Sequence, residues 1–130
     1  MKRMVMLPDG TPVPALGQGT WFLSENLSLA GQEKEALKVG IWAGMTLIDT
    51  AEMYGDGASE RLIGETIRGI DRKKLFLVSK VYPHNAGREA IFKSCTESLK
   101  RLGTDYLDLY LLDWRGRIRL EETVACMEHL

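Results

Sequence analysis

One pattern recurs along this chain and limits the folds open to it: a short apolar stretch, a polar or small residue at its end, and then a helical pattern. The stretches end at Gly19, Asp49, Lys80 and Asp113, which lie 30, 31 and 33 residues apart. Regular alternation of strands and helices predicts a parallel sheet. The stretches are apolar at consecutive positions, which is typical of strands buried on both faces. The sequence therefore predicts an α/β fold.

The spacing of the apolar residues places the individual elements. Two short apolar segments, 4–7 and 11–14, flank the Pro-Asp-Gly sequence at residues 8–10, which predicts a β-hairpin. Strands are expected over residues 15–20, 46–49, 75–79 and 105–112, and helices over 33–44, 60–68, 88–102 and from 120 to the last residue. A glycine is expected just past each of the first three helices: Gly44, Gly69 and Gly103.

Two architectures fit this alternation, an open doubly wound sheet and part of a closed (β/α)8 barrel. A dinucleotide-binding open sheet calls for G-x-G-x-x-G after the first strand, but Gly17 and Gly19 are followed by no third glycine. Units of about 30 residues repeated eight times give about 250 residues, the usual size of a barrel. The sequence supplies four units, so we expect a single α/β domain over residues 1–130 that forms half of a barrel, preceded by the hairpin.

Composition excludes several classes of function. The formal net charge is −1, which gives no electrostatic reason to expect a nucleic-acid partner. The basic residues between 68 and 74 are expected to be the solvated end of a helix. No signal sequence or membrane-spanning run is apparent. Cys95 and Cys126 lie in predicted helices without metal-binding spacing, so they are expected to be reduced core residues of a cytoplasmic protein.

Four chemically distinct side chains follow the ends of the predicted strands. The carboxyl ends of parallel strands linked by helices meet at one face, so Asp49, Tyr54, Lys80 and Asp113 are expected to converge there. Two acids, a phenol and an amine at the same face predict a site for proton transfer.

The motifs around these residues resemble those of the aldo-keto reductase family. They are GQGTW at 17–21, LIDTAEMYG at 47–55, VSK at 78–80 and TDYLDLYLL at 104–112. Four motifs in order at family-like spacing make the resemblance specific, and it is nearest to bacterial members of broad or unassigned carbonyl substrate range. The resemblance implies a (β/α)8 barrel and reduction of small aldehydes or ketones with NADPH.

The resemblance also assigns residues to the reaction. The family has a catalytic tetrad of Asp, Tyr, Lys and His, and the first three carry over to Asp49, Tyr54 and Lys80. The histidine belongs after the fourth strand, where this sequence has Asp113 in the segment LLDW at 111–114. The resemblance therefore implies a reductase site in which the fourth member is replaced.

Binding residues can be carried over in the same way. Thr20, Trp21 and Asp49 correspond to cofactor contacts, and Trp21 and Trp114 to walls of the substrate pocket. His84, four residues past Lys80, is expected either to line the same pocket or to be an exposed loop histidine. The family residues that hold the nicotinamide and the 2′-phosphate of NADPH come from later strands, so the 2′-phosphate site is expected to be absent from this chain. No ligand spacing supports a metal site.

The replacement at Asp113 changes the expected chemistry. An ammonium beside a phenol favours the phenolate, so Lys80 would make Tyr54 a stronger acid, while Asp49 would hold Lys80 charged. The family histidine donates a hydrogen bond to the carbonyl, whereas an ionised Asp113 only accepts. A protonated Asp113 could still donate. Loss of such a donor costs about 10²- to 10³-fold in rate.

A half-barrel poses a further problem, because it leaves two unpaired sheet edges and an uncovered inner face. We expect a homodimer, pairing with a missing C-terminal half, or rearrangement to an open sheet. Two hypotheses follow for function: an NADPH-dependent reductase impaired by truncation and by Asp113, or a non-catalytic half-barrel module that associates with itself or with another chain.

Overall fold

A computed structural model describes residues 3–130 of the chain. It begins with the predicted hairpin, in which strands β1 (Met4–Met6) and β2 (Pro12–Pro14) pair antiparallel with Val5 opposite Val13. The turn between them contains Gly10 at a φ of +88°, a conformation that glycine adopts without steric cost. The expected hairpin is confirmed.

The predicted parallel sheet follows the hairpin. Its four strands lie in sequence order: β3 (Gln18–Gly19), β4 (Leu47–Asp49), β5 (Phe76–Val81) and β6 (Leu109–Leu112). The helices are α1 (Ala30–Ala43), α2 (Ala58–Ile67), α3 (Arg88–Leu102) and α4 (Leu120–Met127). Short 3₁₀ turns cover Leu27–Leu29, Arg72–Lys74 and Pro83–Asn85. Four parallel β/α units after a hairpin confirm the predicted fold class.

Within residues 3–130, no helix is long and apolar enough to cross a membrane.

The hydrophobic core lies between the sheet and its helices. Ile48 and Leu77 project from β4 and β5 into a cluster that includes Leu37, Ile63 and Leu102 from the first three helices. All five side chains are at most 4% exposed. Because side chains alternate across a strand, the neighbours of Ile48 and Leu77 point to the opposite face, where the polar strand-end groups also lie.

Glycines end the helices and allow close helix packing. Gly44 and Gly103 follow α1 and α3 with φ angles of +98° and +66°, so these two predicted glycine caps are confirmed. Gly64 lies inside α2, where a Cβ atom would come within 2.3 Å of the backbone oxygen of Arg101. Only a glycine therefore lets α2 approach α3 this closely.

The fourth strand of the sheet begins later than predicted, at Leu109 instead of residue 105. The preceding residues bind Arg72, which we expected at a solvated helix end. The Arg72 guanidinium is held 2.6 Å from the Asp108 carboxylate, and its side chain is only 17% exposed. It also donates to the oxygens of three further residues: Thr104, Leu75 and Tyr106. The prediction of a solvated helix end is therefore wrong for Arg72, because these acceptors hold its side chain against the residues that precede β6.

The inner face of the sheet is apolar below the polar strand ends. Leu109 pairs with Val78 and Leu111 with Lys80 in the β5–β6 ladder. Both leucines remain exposed, at 38% and 37% of their surface. Residues 3–130 thus leave part of an apolar sheet face open to solvent.

A buried ion pair joins the sheet to two helices. The Glu60 carboxylate in α2 is fully buried; it accepts from Arg101 Nε of α3 at 2.5 Å and from Ser79 Oγ of β5 at 2.6 Å. Ser79 is the residue immediately before Lys80. A buried charge requires such partners, because desolvation otherwise makes it costly.

We predict that Arg101→Met lowers the free energy of unfolding by about 3–5 kcal/mol, because it leaves the Glu60 charge buried and unpaired. Urea denaturation of the 130-residue chain measures this loss. Lys100→Met is the matched control: it changes the adjacent, exposed residue of the same helix and should have little effect. Equal losses in the two variants would show that the buried pair does not stabilise the fold.

Candidate active site

Strand β5 places the Lys80 ammonium, next to last in the strand, at the centre of a polar cluster. Its Nζ atom lies 2.9 Å from both carboxylate oxygens of Asp49, the last residue of β4. The same nitrogen donates to the backbone oxygen of Thr50 at 2.9 Å and to the hydroxyl of Tyr54 at 3.1 Å. The structure thus brings together three of the four side chains expected to converge.

The three contacts of Lys80 use its full hydrogen-bonding capacity. An ammonium has three N–H groups and no acceptor, and here each proton has a separate acceptor in Asp49, Thr50 and Tyr54. Because the Tyr54 oxygen accepts from Lys80, the hydroxyl proton of Tyr54 remains available to another acceptor. The geometry therefore leaves the Tyr54 hydroxyl oriented as a hydrogen-bond donor.

Burial and hydrogen bonding act in opposite directions on Lys80. Burial lowers the pKa of its ammonium, but hydrogen bonds and charge interactions with Asp49 and Tyr54 outweigh that effect and raise the pKa above the ordinary lysine value. The Lys80 side chain is 14% exposed. Lys80 is therefore a stable cation at neutral pH.

The loop after β4 brings Tyr54 back over Lys80. The sheet ladder continues past the strand, with Thr50 N donating to Val78 O at 2.9 Å and Glu52 N to Lys80 O at 3.3 Å. Tyr54 N then donates to Ala51 O at 3.1 Å, which closes a turn. This turn places the Tyr54 ring centroid 4.8 Å from Lys80 Nζ.

Asp113, the fourth expected member, lies at the same end of the sheet but makes no hydrogen bond to the other three. Its backbone N–H donates to Val81 O at 3.0 Å, and its Oδ2 atom is buried without a partner in residues 3–130. Burial is the main cause of a raised pKa for its carboxyl, with Asp49 and Glu52 adding to the rise and Lys80 opposing it. Asp113 is thus held near the cluster as a weakened acid.

One pair of aromatic side chains lies beside Tyr54. Trp21 stacks on Phe22 with ring centroids 4.5 Å apart and lies 6.2 Å from the Tyr54 ring. Phe22 has a φ of +70°, an unusual conformation for a bulky residue. Trp21 and Phe22 are each 59% exposed, so this wall is open to a ligand.

The second aromatic group follows strand β5. The Tyr82 ring lies 4.7 Å from that of His84 and meets Trp114 edge-on at 6.0 Å. His84 and Trp114 were expected to line a pocket, and the structure places them in one cluster through Tyr82. Sequence reasoning missed Tyr82, although its position two residues after Lys80 was a signal.

Thr20 has a different environment from the one expected of a cofactor contact. It is fully buried; its hydroxyl donates to Asp49 O at 2.9 Å and its own backbone oxygen accepts from Ser59 Oγ. These contacts make Thr20 a support for the backbone at Asp49, and a direct contact with a cofactor stays a prediction. Trp21 and Asp49 are the expected cofactor residues that remain accessible, with the Asp49 side chain 36% exposed.

We predict that the contribution of Lys80 to the free energy of unfolding is lost at alkaline pH. A pKa raised in the folded state means that the contribution is complete below the ordinary lysine pKa of about 10.4 and is lost as the pH rises through the folded value. Unfolding free energies of the wild type and Lys80→Met should differ by a constant amount from about pH 7 to about pH 10 and converge above it. The exposed Lys73→Met control should show no such convergence. A constant difference across the whole range would contradict the prediction.

Comparisons with known proteins point to one family. The model of the aldo/keto reductase family matches residues 15–130. The chain is 53% identical over 129 residues to methylglyoxal reductase YeaE of Escherichia coli, covering 99% of this chain and 45% of that protein. It is 36% identical over 132 residues to a glyoxal reductase of Bacillus subtilis, covering 100% of this chain and 45% of that protein.

Solved structures extend the likeness to three dimensions. An aldo-keto reductase from Klebsiella pneumoniae in complex with NADPH is 52% identical and superimposes with a TM-score of 0.94, over 100% of this chain and 45% of that one. The thermostable aldo-keto reductase Tm1743 is 44% identical with a TM-score of 0.92, over 98% and 48%. The chain spans less than half the length of these relatives, and by its sequence and its fold it belongs to the aldo-keto reductase family.

Proposed function

We propose that this chain carries the proton-transfer site of an NADPH-dependent reductase of aldehydes or ketones. The observation that carries the proposal is the saturation of Lys80, which leaves the Tyr54 hydroxyl as a donor with a free proton. Family membership and the NADPH complex of the Klebsiella relative support it.

The roles of the residues follow from their contacts. NADPH, when bound, supplies the hydride that goes to the carbonyl carbon. Tyr54 binds the carbonyl oxygen and gives it a proton as negative charge develops, a contribution of about 10²- to 10⁴-fold. Lys80 stabilises the phenolate that remains, and Asp49 keeps Lys80 charged and aimed. Trp21 and Asp49 are the accessible residues that would contact the cofactor.

Two relatives and the aromatic side chains of the site support a proposal for the substrate class. Two relatives, of Escherichia coli and Bacillus subtilis, are a methylglyoxal reductase and a glyoxal reductase by name, and we propose small reactive carbonyl compounds for this chain as well. The two aromatic walls, Trp21 with Phe22 and Tyr82 with its neighbours, give the carbonyl substituents an apolar surface. Groups that would hold the NADPH 2′-phosphate are expected from a further part of the barrel.

A second candidate function rests on the open sheet face. Leu109 and Leu111 are exposed on the inner side, and β3 and β6 are the edge strands of the sheet. We propose that a second barrel half covers this face, either a second copy of the chain or a complementary chain. A chain that dimerises with concentration but neither binds NADPH nor reduces aldehydes would have an assembly function instead.

We predict that Tyr54→Phe lowers aldehyde reduction by at least about 10²-fold while NADPH binding is retained, because only the proton donor is removed. Consumption of NADPH absorbance measures turnover, and quenching of tryptophan fluorescence measures binding. Tyr106→Phe is the matched control, since Tyr106 stacks on Arg72 away from the site. If the wild-type chain neither turns over aldehydes nor binds NADPH, the reductase proposal is rejected.

We predict that Asp113→His raises turnover, by up to about 10²- to 10³-fold if the new imidazole donates to the carbonyl oxygen. The carboxyl of Asp113 has an unpartnered buried oxygen within the described residues and cannot donate while it is ionised. Asp113→Asn separates loss of the negative charge from gain of the imidazole. No gain in a histidine variant that binds NADPH would contradict the role proposed for residue 113.

A further inference from the structure

Glu52 is a buried acid that the proposed reaction does not use. It is 8% exposed, yet none of the ion pairs found among residues 3–130 includes it. Its Oε1 atom instead accepts from the backbone N–H of Tyr82 at 2.6 Å and from Asn85 Nδ2 at 3.3 Å. Glu60, the other buried acid among the described residues, has an arginine partner. A buried carboxylate held only by neutral donors is costly, so its contacts require an explanation.

The position of Glu52 connects two loops of the site. It lies in the loop between Asp49 and Tyr54, and its own backbone N–H donates to Lys80 O at 3.3 Å. Its side chain reaches past Lys80 to Tyr82. One residue therefore ties the tyrosine-bearing loop to the chain on either side of Val81, first through its backbone at Lys80 and then through its carboxylate at Tyr82.

The segment that Glu52 holds carries two of the three rings of the second aromatic group, those of Tyr82 and His84. Tyr82 precedes the 3₁₀ turn Pro83–Asn85, and its side chain does not cap that turn. The Glu52 carboxylate accepts hydrogen bonds from the first and last residues of the segment 82–85, so it links the two ends of the turn. The rings of Tyr82, His84 and Trp114 pack together beyond it.

We propose that Glu52 is a positioning residue that fixes the loop 82–85, and with it one aromatic wall, relative to the Tyr54 hydroxyl. This inference rests on the proposed reductase function. The side chain of Glu52 makes no hydrogen bond to Tyr54, Trp21 or Asp49 within residues 3–130. Removal of the Glu52 side chain therefore weakens the binding of carbonyl substrates that pack against these aromatic rings. It leaves NADPH binding unchanged.

Hydrogen exchange of the 130-residue chain tests the proposed link without any need for activity. In Glu52→Ala, exchange of the Tyr82 amide should accelerate about tenfold or more relative to the core amide of Leu77, because its charged acceptor is gone. Glu52→Gln keeps an oxygen acceptor and should restore most of the protection. The exposed Glu35→Ala control should resemble the wild type. Equal acceleration at Tyr82 and Leu77 would mean general destabilisation and would overturn the proposal.

Steady-state kinetics test the consequence for substrate binding. For an aromatic aldehyde such as 4-nitrobenzaldehyde, Glu52→Ala should raise KM several-fold more than it lowers kcat, with recovery in Glu52→Gln. An equal loss of kcat with no change in KM would overturn the positioning role. If the wild-type chain reduces no aldehyde, the proposed function fails, and the exchange pattern alone decides whether Glu52 holds the loop.

Discussion

The proposed site depends on one ammonium whose three protons are all engaged near the end of a parallel strand. Lys80 is partly buried among an acid, a backbone carbonyl and a phenol, and together these contacts keep it charged despite partial desolvation. Its saturation orients the Tyr54 hydroxyl, because that oxygen can accept only if its own proton points elsewhere. The other features of the site hold these groups in place or surround them.

Buried acids hold the strand that carries Lys80. Glu60 binds Ser79 on the helix side of β5, and Glu52 binds Tyr82 just past the strand. The two acids differ in their partners, since Arg101 balances the charge of Glu60 while Glu52 has only neutral donors among the described residues. This difference separates a contact that stabilises the whole fold from one that we propose to act locally on the site.

Much of the fold could be predicted from periodicity. Helix α3 has the predicted bounds, because its apolar spacing and the glycine that follows it are unambiguous. Strand β6 was predicted to start too early, because residues 105–108 look like strand but contribute acceptors to Arg72. Thr20 was assigned to a cofactor from its motif, and its burial against Asp49 could not be read from the order of residues.

The sequence by itself determined the order of β/α units, and with it the convergence of Asp49, Tyr54 and Lys80, because parallel strands joined by helices end on one face. Only the tertiary structure decided which hydrogen-bond acceptors each group has. Glu52 and Tyr82 are 30 residues apart, and their contact depends on how two loops turn after the strands end. Periodicity describes which face of a regular element a side chain takes, but it says nothing about the direction of side chains in loops.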